Sequence, residues 1–137
     1  MRRLIVVEAR GGDAFVARLR RAWDDGDAVL PLDPRLPAPA RPRVLAAARP
    51  DEPVADGDAL VVATSGTTGD PKAAVLTHEA VAASARATSS RLGVDRATDR
   101  WLACLPLAHV GGLSVVTRAL ATGTPLTVHD GFHAAAV

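Results

Sequence analysis

Residues 59–72 join a continuous apolar run to a loop rich in glycine and hydroxyl side chains. The run Ala59–Ala63 has the composition of a strand buried on both faces. The loop that follows ends near Lys72, the single lysine of a chain with fifteen arginines. A lysine places a compact positive charge against phosphate in a narrow site, which a planar guanidinium does less well. The segment therefore predicts a buried strand that carries a phosphate-binding loop.

The loop has the residue types that phosphate binding needs. Its glycines permit positive φ and let backbone amides approach an anion, and its hydroxyls are hydrogen-bond donors. Pro71 stiffens the approach to Lys72. The spacing is not that of a Walker loop, because two residues separate the glycines and Ala73 follows the lysine. The candidate phosphate ligands are Thr64, Ser65, Gly66, Thr67, Thr68, Gly69 and Lys72, and the hydroxyl of Thr67 or Thr68 is a candidate Mg²⁺ ligand.

Apolar periodicity predicts strands that alternate with helices along the rest of the chain. The predicted strands are Leu4–Val7, Ala28–Leu30, Ala59–Ala63, Ala73–Leu76, Trp101–Leu105 and Leu126–Val128. The predicted helices run from an N-cap at Asp13 to a terminator at Gly26, over Val44–Arg49, from an N-cap at Thr77 to Leu92 with Gly93 after it, and from Gly111 to Leu120 with Gly123 as its stop. The seven prolines between Pro31 and Pro53 predict a connector around the short second helix. This order predicts an α/β fold with a partly parallel sheet and flanking helices.

Composition limits the functions that are compatible with the chain. The net charge is +1 and the arginines are scattered, so no nucleic-acid groove is expected. No apolar stretch approaches the roughly 18 residues of a membrane span. One cysteine, Cys104, leaves no internal disulfide and fits a reducing compartment, so a cytoplasmic location is expected. We divide the chain into an α/β segment with its proline-rich connector, 1–58, and a phosphate-loop segment, 59–137.

Other polar residues have ordinary structural interpretations. Cys104 is expected to be a small buried residue in an apolar strand. His129 and His133 have the spacing of a helical metal site, but Gly131 between them predicts a turn. His78 is expected to be a residue of a helix start.

Two motifs in order resemble the adenylate-forming enzymes, the family of acyl-CoA ligases, luciferases and nonribosomal adenylation domains. The first is Thr64–Lys72 with Thr77-His78 downstream, which resembles the phosphate-loop signature of that family. The second is Leu105–Leu113, in which a histidine stands between a proline and a glycine pair. The chain departs from the family pattern at Ala73, where glycine is usual.

The resemblance implies the N-terminal part of the large domain of such an enzyme and a two-step reaction. A carboxylate attacks ATP, with Mg²⁺, to give an acyl-adenylate and pyrophosphate, and a thiol, usually that of coenzyme A, then takes the acyl group. The residues from Ser65 to Lys72 would wrap the β- and γ-phosphates. His109 would line the pocket of a small-molecule carboxylate substrate as the catalytic-site residue. Gly111 and Gly112 would let the following helix approach that pocket.

The short stretch before the loop, with its phrase Val29–Pro37, resembles the short-form o-succinylbenzoate–CoA ligases of menaquinone synthesis. The family's adenine-binding tyrosine motif and its catalytic lysine have no counterpart here, since the chain has no tyrosine and its one lysine lies in the loop. We therefore expect an incomplete enzyme that is inactive alone. A stand-alone phosphate- or nucleotide-binding module without catalysis, and a remnant without function, are the alternatives. The sequence does not fix the oligomeric state.

Overall fold

The structure is a computed structural model that describes residues 1–65, 67 and 69–137. Within this part of the chain, the strands are β1 (Leu4–Glu8), β2 (Ala28–Leu32), β3 (Asp58–Ser65), β4 (Pro71–Thr77), β5 (Trp101–Ala103) and β6 (Leu126–Val128). The helices are α1 (Asp13–Asp24), α2 (Ala40–Ala48), α3 (His78–Leu92) and α4 (Val110–Thr122), and a 3₁₀ turn covers Ala134–Ala136.

The strands form two sheets. The larger sheet has the order β1-β2-β3-β4, with β1, β2 and β3 parallel and β4 antiparallel to β3. The smaller sheet pairs β5 with β6 in parallel, Ala103 opposite Val128. The predicted α/β fold with a partly parallel sheet and flanking helices is confirmed.

Helices cover both faces of the larger sheet. One face presents Leu4, Leu30 and Val61 to Leu45 and Ala48 of α2. The other face packs against α1, α4 and the smaller sheet, and this larger core includes Val7, Val29, Leu60, Val62, Phe15, Leu19, Leu113 and Val116. Because successive strand residues point to opposite faces, the apolar runs of β2 and β3 supply both cores.

Helix α3 begins and ends where the sequence predicts. The Thr77 hydroxyl oxygen accepts a hydrogen bond from the backbone N–H of Ala80 at 3.1 Å. Gly93 ends the helix at φ +65°, a left-handed conformation that glycine adopts without strain. Local signals at both ends fix this helix.

Helix α1 ends as predicted, but its predicted N-cap is wrong. Gly26 terminates the helix at φ +80°, and its N–H donates to the carbonyl oxygen of Trp23 at 3.0 Å. The N-cap is Gly12, at φ +114°, and Asp13 is the first helical residue. Gly11 explains the entry, because a Cβ at this position would overlap the backbone of His129 and Asp130. The chain thus enters the helix through two glycines. The Asp13 carboxylate lies in the first turn, where its negative charge interacts favourably with the helix dipole.

The proline-rich connector contains more regular structure than predicted. Strand β2 continues through Pro31 to Leu32. Ala28 donates to Arg3 and Leu32 accepts from Ala9, so the backbone groups of the even-numbered residues face β1. Pro31 faces away from β1, and its missing N–H removes no hydrogen bond to that strand.

Helix α2 also differs from its predicted range of Val44–Arg49. It begins at Ala40, with Pro42 in its first turn, where a missing N–H is tolerated. It ends at Ala48, because Arg49 is the C-cap at φ +52°.

The remaining differences are small. Strand β5 ends at Ala103 and not at the predicted Leu105, so Cys104 lies after the strand and is half-buried. Helix α4 begins at Val110 and is followed by Gly123 as its C-cap. Within the described residues, no helix has both the length and the apolar character to cross a membrane.

Candidate functional site

A cavity of about 300 Å³ lies where the two sequence motifs meet. We call it the hairpin cleft. Its walls come from the end of β2 (Leu32, Asp33), the first turns of α2 (Ala40, Arg43), the β3–β4 hairpin (Thr64, Ser65, Gly69, Pro71) and the start of α4 (Ala108, His109). The fold thus brings part of the glycine-rich loop and His109 to one cleft.

The glycine-rich loop is the turn of an antiparallel hairpin. Thr64 is paired with Lys72, and Ser65 with Pro71. The Thr64 hydroxyl donates to the carbonyl oxygen of Lys72 at 3.4 Å, and Gly69 has φ +83°. The turn therefore uses the conformational freedom of Gly69. Gly66 and Thr68 lie outside the described residues, and Thr67 is exposed.

Lys72 is exposed and does not line the hairpin cleft. Ser65 and Pro71 are cross-strand partners, and both line it. Because side chains alternate along a strand, Lys72 projects from the opposite face of the hairpin to Pro71. Its cross-strand partner Thr64 lines the cleft, so Lys72 lies next to the cleft although its side chain is not part of the lining.

Arg43 of α2 connects the helix to the turn of the hairpin. One of its guanidinium nitrogens, Nη2, donates to the carbonyl oxygen of Gly69 at 3.1 Å and also pairs with the carboxylate of Asp70. The Arg43 side chain is 54% exposed and lines the cleft. The sequence reasoning missed this residue, because no local pattern links it to the distant loop.

Asp33 is the acidic residue at the wall of the cleft. Arg35 donates to it from its backbone N–H at 2.9 Å, from Nε at 3.1 Å and from Nη2 at 3.1 Å. The Nε2 atom of His109 lies 3.5 Å from Asp33 Oδ2. The hydrogen bonds from the Arg35 side chain are the main cause that lowers the pKa of the Asp33 carboxyl, with smaller contributions from the Arg35 backbone and from His109. Asp33 was not predicted as a site residue, although aspartate before proline is a typical turn signal.

The first turn of α4 places His109 at the cleft. The His109 carbonyl oxygen accepts from the Leu113 N–H at 2.9 Å, and its imidazole is 65% exposed. Gly112 packs directly against the chain that leaves β5, since a Cβ on it would overlap the carbonyl oxygen of Pro106. Gly111 has open space around it. Only Gly112 of the pair thus has a packing requirement for glycine.

A second cavity, of about 520 Å³, lies at the carboxyl ends of β2, β5 and β6 and shares Asp33 and Ala108 with the hairpin cleft. Cys104 and His129 line it. His129 follows β6 in non-helical chain, and His133 Nε2 lies 3.1 Å from Asp130, so the predicted turn is confirmed. In the described part of the chain, no three His, Cys, Asp or Glu side chains are grouped to hold a metal ion.

Comparison with protein families gives a match over nearly the whole chain. The family described as "AMP-binding enzyme" matches residues 5–137. A probable 2-succinylbenzoate–CoA ligase of Mycobacterium tuberculosis H37Rv is 45% identical over 92 residues, which cover 65% of this chain and 23% of that relative. The chain thus spans about a quarter of the length of this curated relative.

Solved structures share the fold. The o-succinylbenzoate coenzyme A synthetase of Bacillus subtilis in complex with AMP matches with a TM-score of 0.85 at 21% identity, over 99% of this chain and 46% of that one. The structure of the same synthetase with ATP and a magnesium ion matches with a TM-score of 0.79 at 20% identity, over 99% and 47%. The predicted resemblance to the adenylate-forming enzymes and the predicted fold are confirmed.

Proposed function

Since this chain belongs to the AMP-binding enzyme family, we propose that it supplies the phosphate-binding part of an ATP-dependent carboxylic acid–CoA ligase. The observation that carries the proposal is the meeting of Ser65, Gly69 and His109 at one cleft. These residues come from two separate motifs, and the reaction needs a phosphate site and an acid site side by side.

In the proposed reaction a carboxylate oxygen of the acid attacks the α-phosphorus of ATP. A bond forms between this oxygen and the α-phosphorus. The bond from the α-phosphorus to the oxygen that bridges the α- and β-phosphates breaks, and pyrophosphate leaves. The thiol of coenzyme A then attacks the acyl carbon: a C–S bond forms, the C–O bond to the phosphate breaks, AMP leaves, and the thiol proton is released to solvent. The hydroxyls of Ser65 and Thr67, the backbone of the turn and the charge of Lys72 stabilise the negative charge on the departing pyrophosphate.

Mg²⁺ fits the chemistry of the hairpin. The hairpin offers the neutral hydroxyl oxygens of Thr64, Ser65 and Thr67, all in exposed residues. Mg²⁺ usually takes few protein oxygens and completes its shell with water and substrate phosphates. In our proposal the Thr67 hydroxyl is the protein ligand, and the ion neutralises phosphate charge.

The proposed acid is o-succinylbenzoate, and the proposed acceptor is coenzyme A. The 45% identity to the M. tuberculosis ligase over 92 residues supports this choice. His109 and the first turn of α4 would face the carboxylate, because a helix N-terminus favours an anion. The proposal places the enzyme in the cytoplasm, where ATP and coenzyme A are available.

The single lysine allows a direct test of phosphate binding. Reductive ¹³C-methylation labels Lys72 and the terminal amine of Met1 and keeps both charges. Titration of the labelled 137-residue chain with magnesium pyrophosphate should move the Lys72 resonance along a saturable curve and leave the Met1 resonance in place. A folded sample whose Lys72 resonance does not move, or moves together with that of Met1, would contradict the proposed loop function.

A chimaera tests the catalytic part of the proposal. The 137 residues replace the equivalent segment of the M. tuberculosis ligase, and pyrophosphate release is measured with o-succinylbenzoate and with benzoate. We expect release that depends on o-succinylbenzoate and that falls by about 100-fold in Lys72→Ala, the scale of losing one preorganised donor. Pyrophosphate binding by the chain without release by the chimaera would instead favour a binding module.

A further inference from the structure

Arg43 is the arginine that faces the hairpin cleft. Among the described residues that line the cleft, it is the one guanidinium, and Lys72 does not contribute to the lining. Its neighbours there are the hydroxyl of Ser65 and the turn at Gly69. A positive charge beside a hydroxyl donor is an arrangement that binds phosphate oxygens.

The position of Arg43 depends on a buried anchor. Val44, the next residue of α2, is 7% exposed, and Leu45 and Ala48 of the same helix pack against the sheet. Arg43 therefore projects from a supported helix toward the turn of the hairpin. A guanidinium held in this way loses less freedom on binding than a lysine on a flexible stem.

The present partner of Arg43 is an anion in the same turn. The guanidinium pairs with the Asp70 carboxylate, whose side chain is 78% exposed, and it also donates to the Gly69 carbonyl oxygen. A carboxylate carries one negative charge, whereas a bound pyrophosphate group carries more and offers a pair of oxygens to a guanidinium. Because Asp70 is exposed to solvent, its ion pair with Arg43 contributes little free energy. Replacing the carboxylate by a more highly charged anion therefore costs little.

We propose that Arg43 is a phosphate-binding residue of the hairpin cleft, and that Asp70 holds its guanidinium until a phosphate displaces the carboxylate. The inference rests on the proposed phosphate-binding function of the hairpin. It adds a residue from α2 to that site and gives Asp70 the role of an internal competitor.

The first experiment measures the affinity for inorganic pyrophosphate by calorimetry on the 137-residue chain. Arg43→Ala should weaken binding about tenfold, and Arg43→Lys should fall between it and the original chain, because it keeps the charge without the planar fork. Arg41→Ala is the matched control. Arg41 lies on the same helix, pairs with Glu8 at 3.5 Å and does not line the cleft, so its loss should change affinity less than about twofold. Thermal unfolding confirms that each variant is folded.

The second experiment tests whether Arg43 binds phosphate itself or only holds the turn of the hairpin in place. Asp70→Asn frees Arg43 and should tighten pyrophosphate binding. The same change made together with Arg43→Ala reports the effect of charge removal alone. We expect the tightening to be at least about twofold larger when Arg43 is present, because the two residues then compete directly.

The outcomes distinguish this inference from the proposed function. A folded original chain that binds no pyrophosphate overturns both. Normal binding by the original chain with equal affinities for Arg43→Ala and Arg41→Ala overturns this inference alone. Weaker binding in Asp70→Asn also overturns it, because Arg43 would then act only by holding the turn.

Discussion

The carboxylate of Asp33 lies 3.5 Å from the imidazole Nε2 of His109, between the end of β2 and the start of α4. Asp33 also accepts three hydrogen bonds from Arg35, so the carboxylate joins the proline-rich segment to the second motif. Its side chain is 16% exposed. This contact forms one wall of the hairpin cleft.

Asp33→Asn should loosen this wall. The amide keeps the shape but loses the charge and one acceptor oxygen, so the hydrogen bonds from Arg35 weaken and His109 loses its anionic neighbour. We expect the free energy of unfolding to fall by about 1–2 kcal/mol, measured by urea denaturation. The control is Asp51→Asn, at an exposed residue away from the cleft, which should change it by less than about 0.5 kcal/mol. Equal effects of the two changes would show that Asp33 has no special role in stability.

Asp27 should give the chain an acid-sensitive stability. It is 4% exposed and accepts a 2.8 Å hydrogen bond from the backbone N–H of Arg3. That bond is the main cause that lowers the pKa of its carboxyl, and the Arg3 side chain lowers it further. Because this pKa is lowered, there is a pH range in which Asp27 is ionised in the folded chain and protonated in the unfolded chain. The stabilisation is therefore complete above the unfolded pKa of about 3.9 and is lost as the pH falls through the folded value.

The measurement is urea denaturation from pH 7 to pH 3. Asp27→Asn should lower the free energy of unfolding by about 1–3 kcal/mol at pH 7 and make its decline below pH about 5 shallower. Asp24→Asn, at an exposed residue of α1, is the control. A decline as steep as in the original chain would exclude Asp27 as its source.

The two glycines of the second motif should respond differently to replacement by alanine. A Cβ on Gly112 would also come within 2.6 Å of the Leu105 carbonyl oxygen, and backbone does not give way easily. Gly112→Ala should therefore destabilise the fold by about 1–3 kcal/mol. Gly111→Ala meets nothing within 4 Å, and alanine favours a helix over glycine, so it should be neutral or stabilising by up to about 1 kcal/mol. Thermal unfolding of both variants tests this prediction. Destabilisation by Gly111→Ala alone would refute the close packing assigned to Gly112.

The cap of α3 should be a measurable source of stability. Thr77→Ala removes the acceptor of the Ala80 N–H and should lower the free energy of unfolding by about 1 kcal/mol. Thr77→Ser keeps the acceptor and should restore most of the loss. Thr98→Ala, at an exposed loop residue, is the comparison. A serine variant as unstable as the alanine variant would show that the hydroxyl does not cap the helix.

Helices and strands whose ends are fixed by residues close in sequence were predictable from the sequence. The hydroxyl of Thr77 and the left-handed Gly93 fix α3 without help from distant parts of the chain. Strand β3 was equally clear, because a strand buried on both faces has a continuous apolar run. The resemblance to the family rested on two such local motifs.

Features that depend on distant partners were not predictable. Pro31 reads as a strand breaker, yet pairing of β2 with β1 accommodates it. Gly12 and not Asp13 is the N-cap of α1, and the preceding Gly11 packs against His129 and Asp130 from the other end of the chain. Arg43 and Asp33 join the candidate site only through the packing of α2, β2 and α4, for which the sequence carries no local signal.

The contact of Gly112 with the chain at Pro106 has a mechanical consequence. With no side chain between them, the first turn of α4 and the segment that leaves β5 have no room to slide past one another. His109 at the hairpin cleft and Cys104 at the neighbouring cavity lie at the two ends of this short stretch. Because Asp33 and Ala108 line both cavities, a substitution that displaces this stretch changes the walls of both cavities at once.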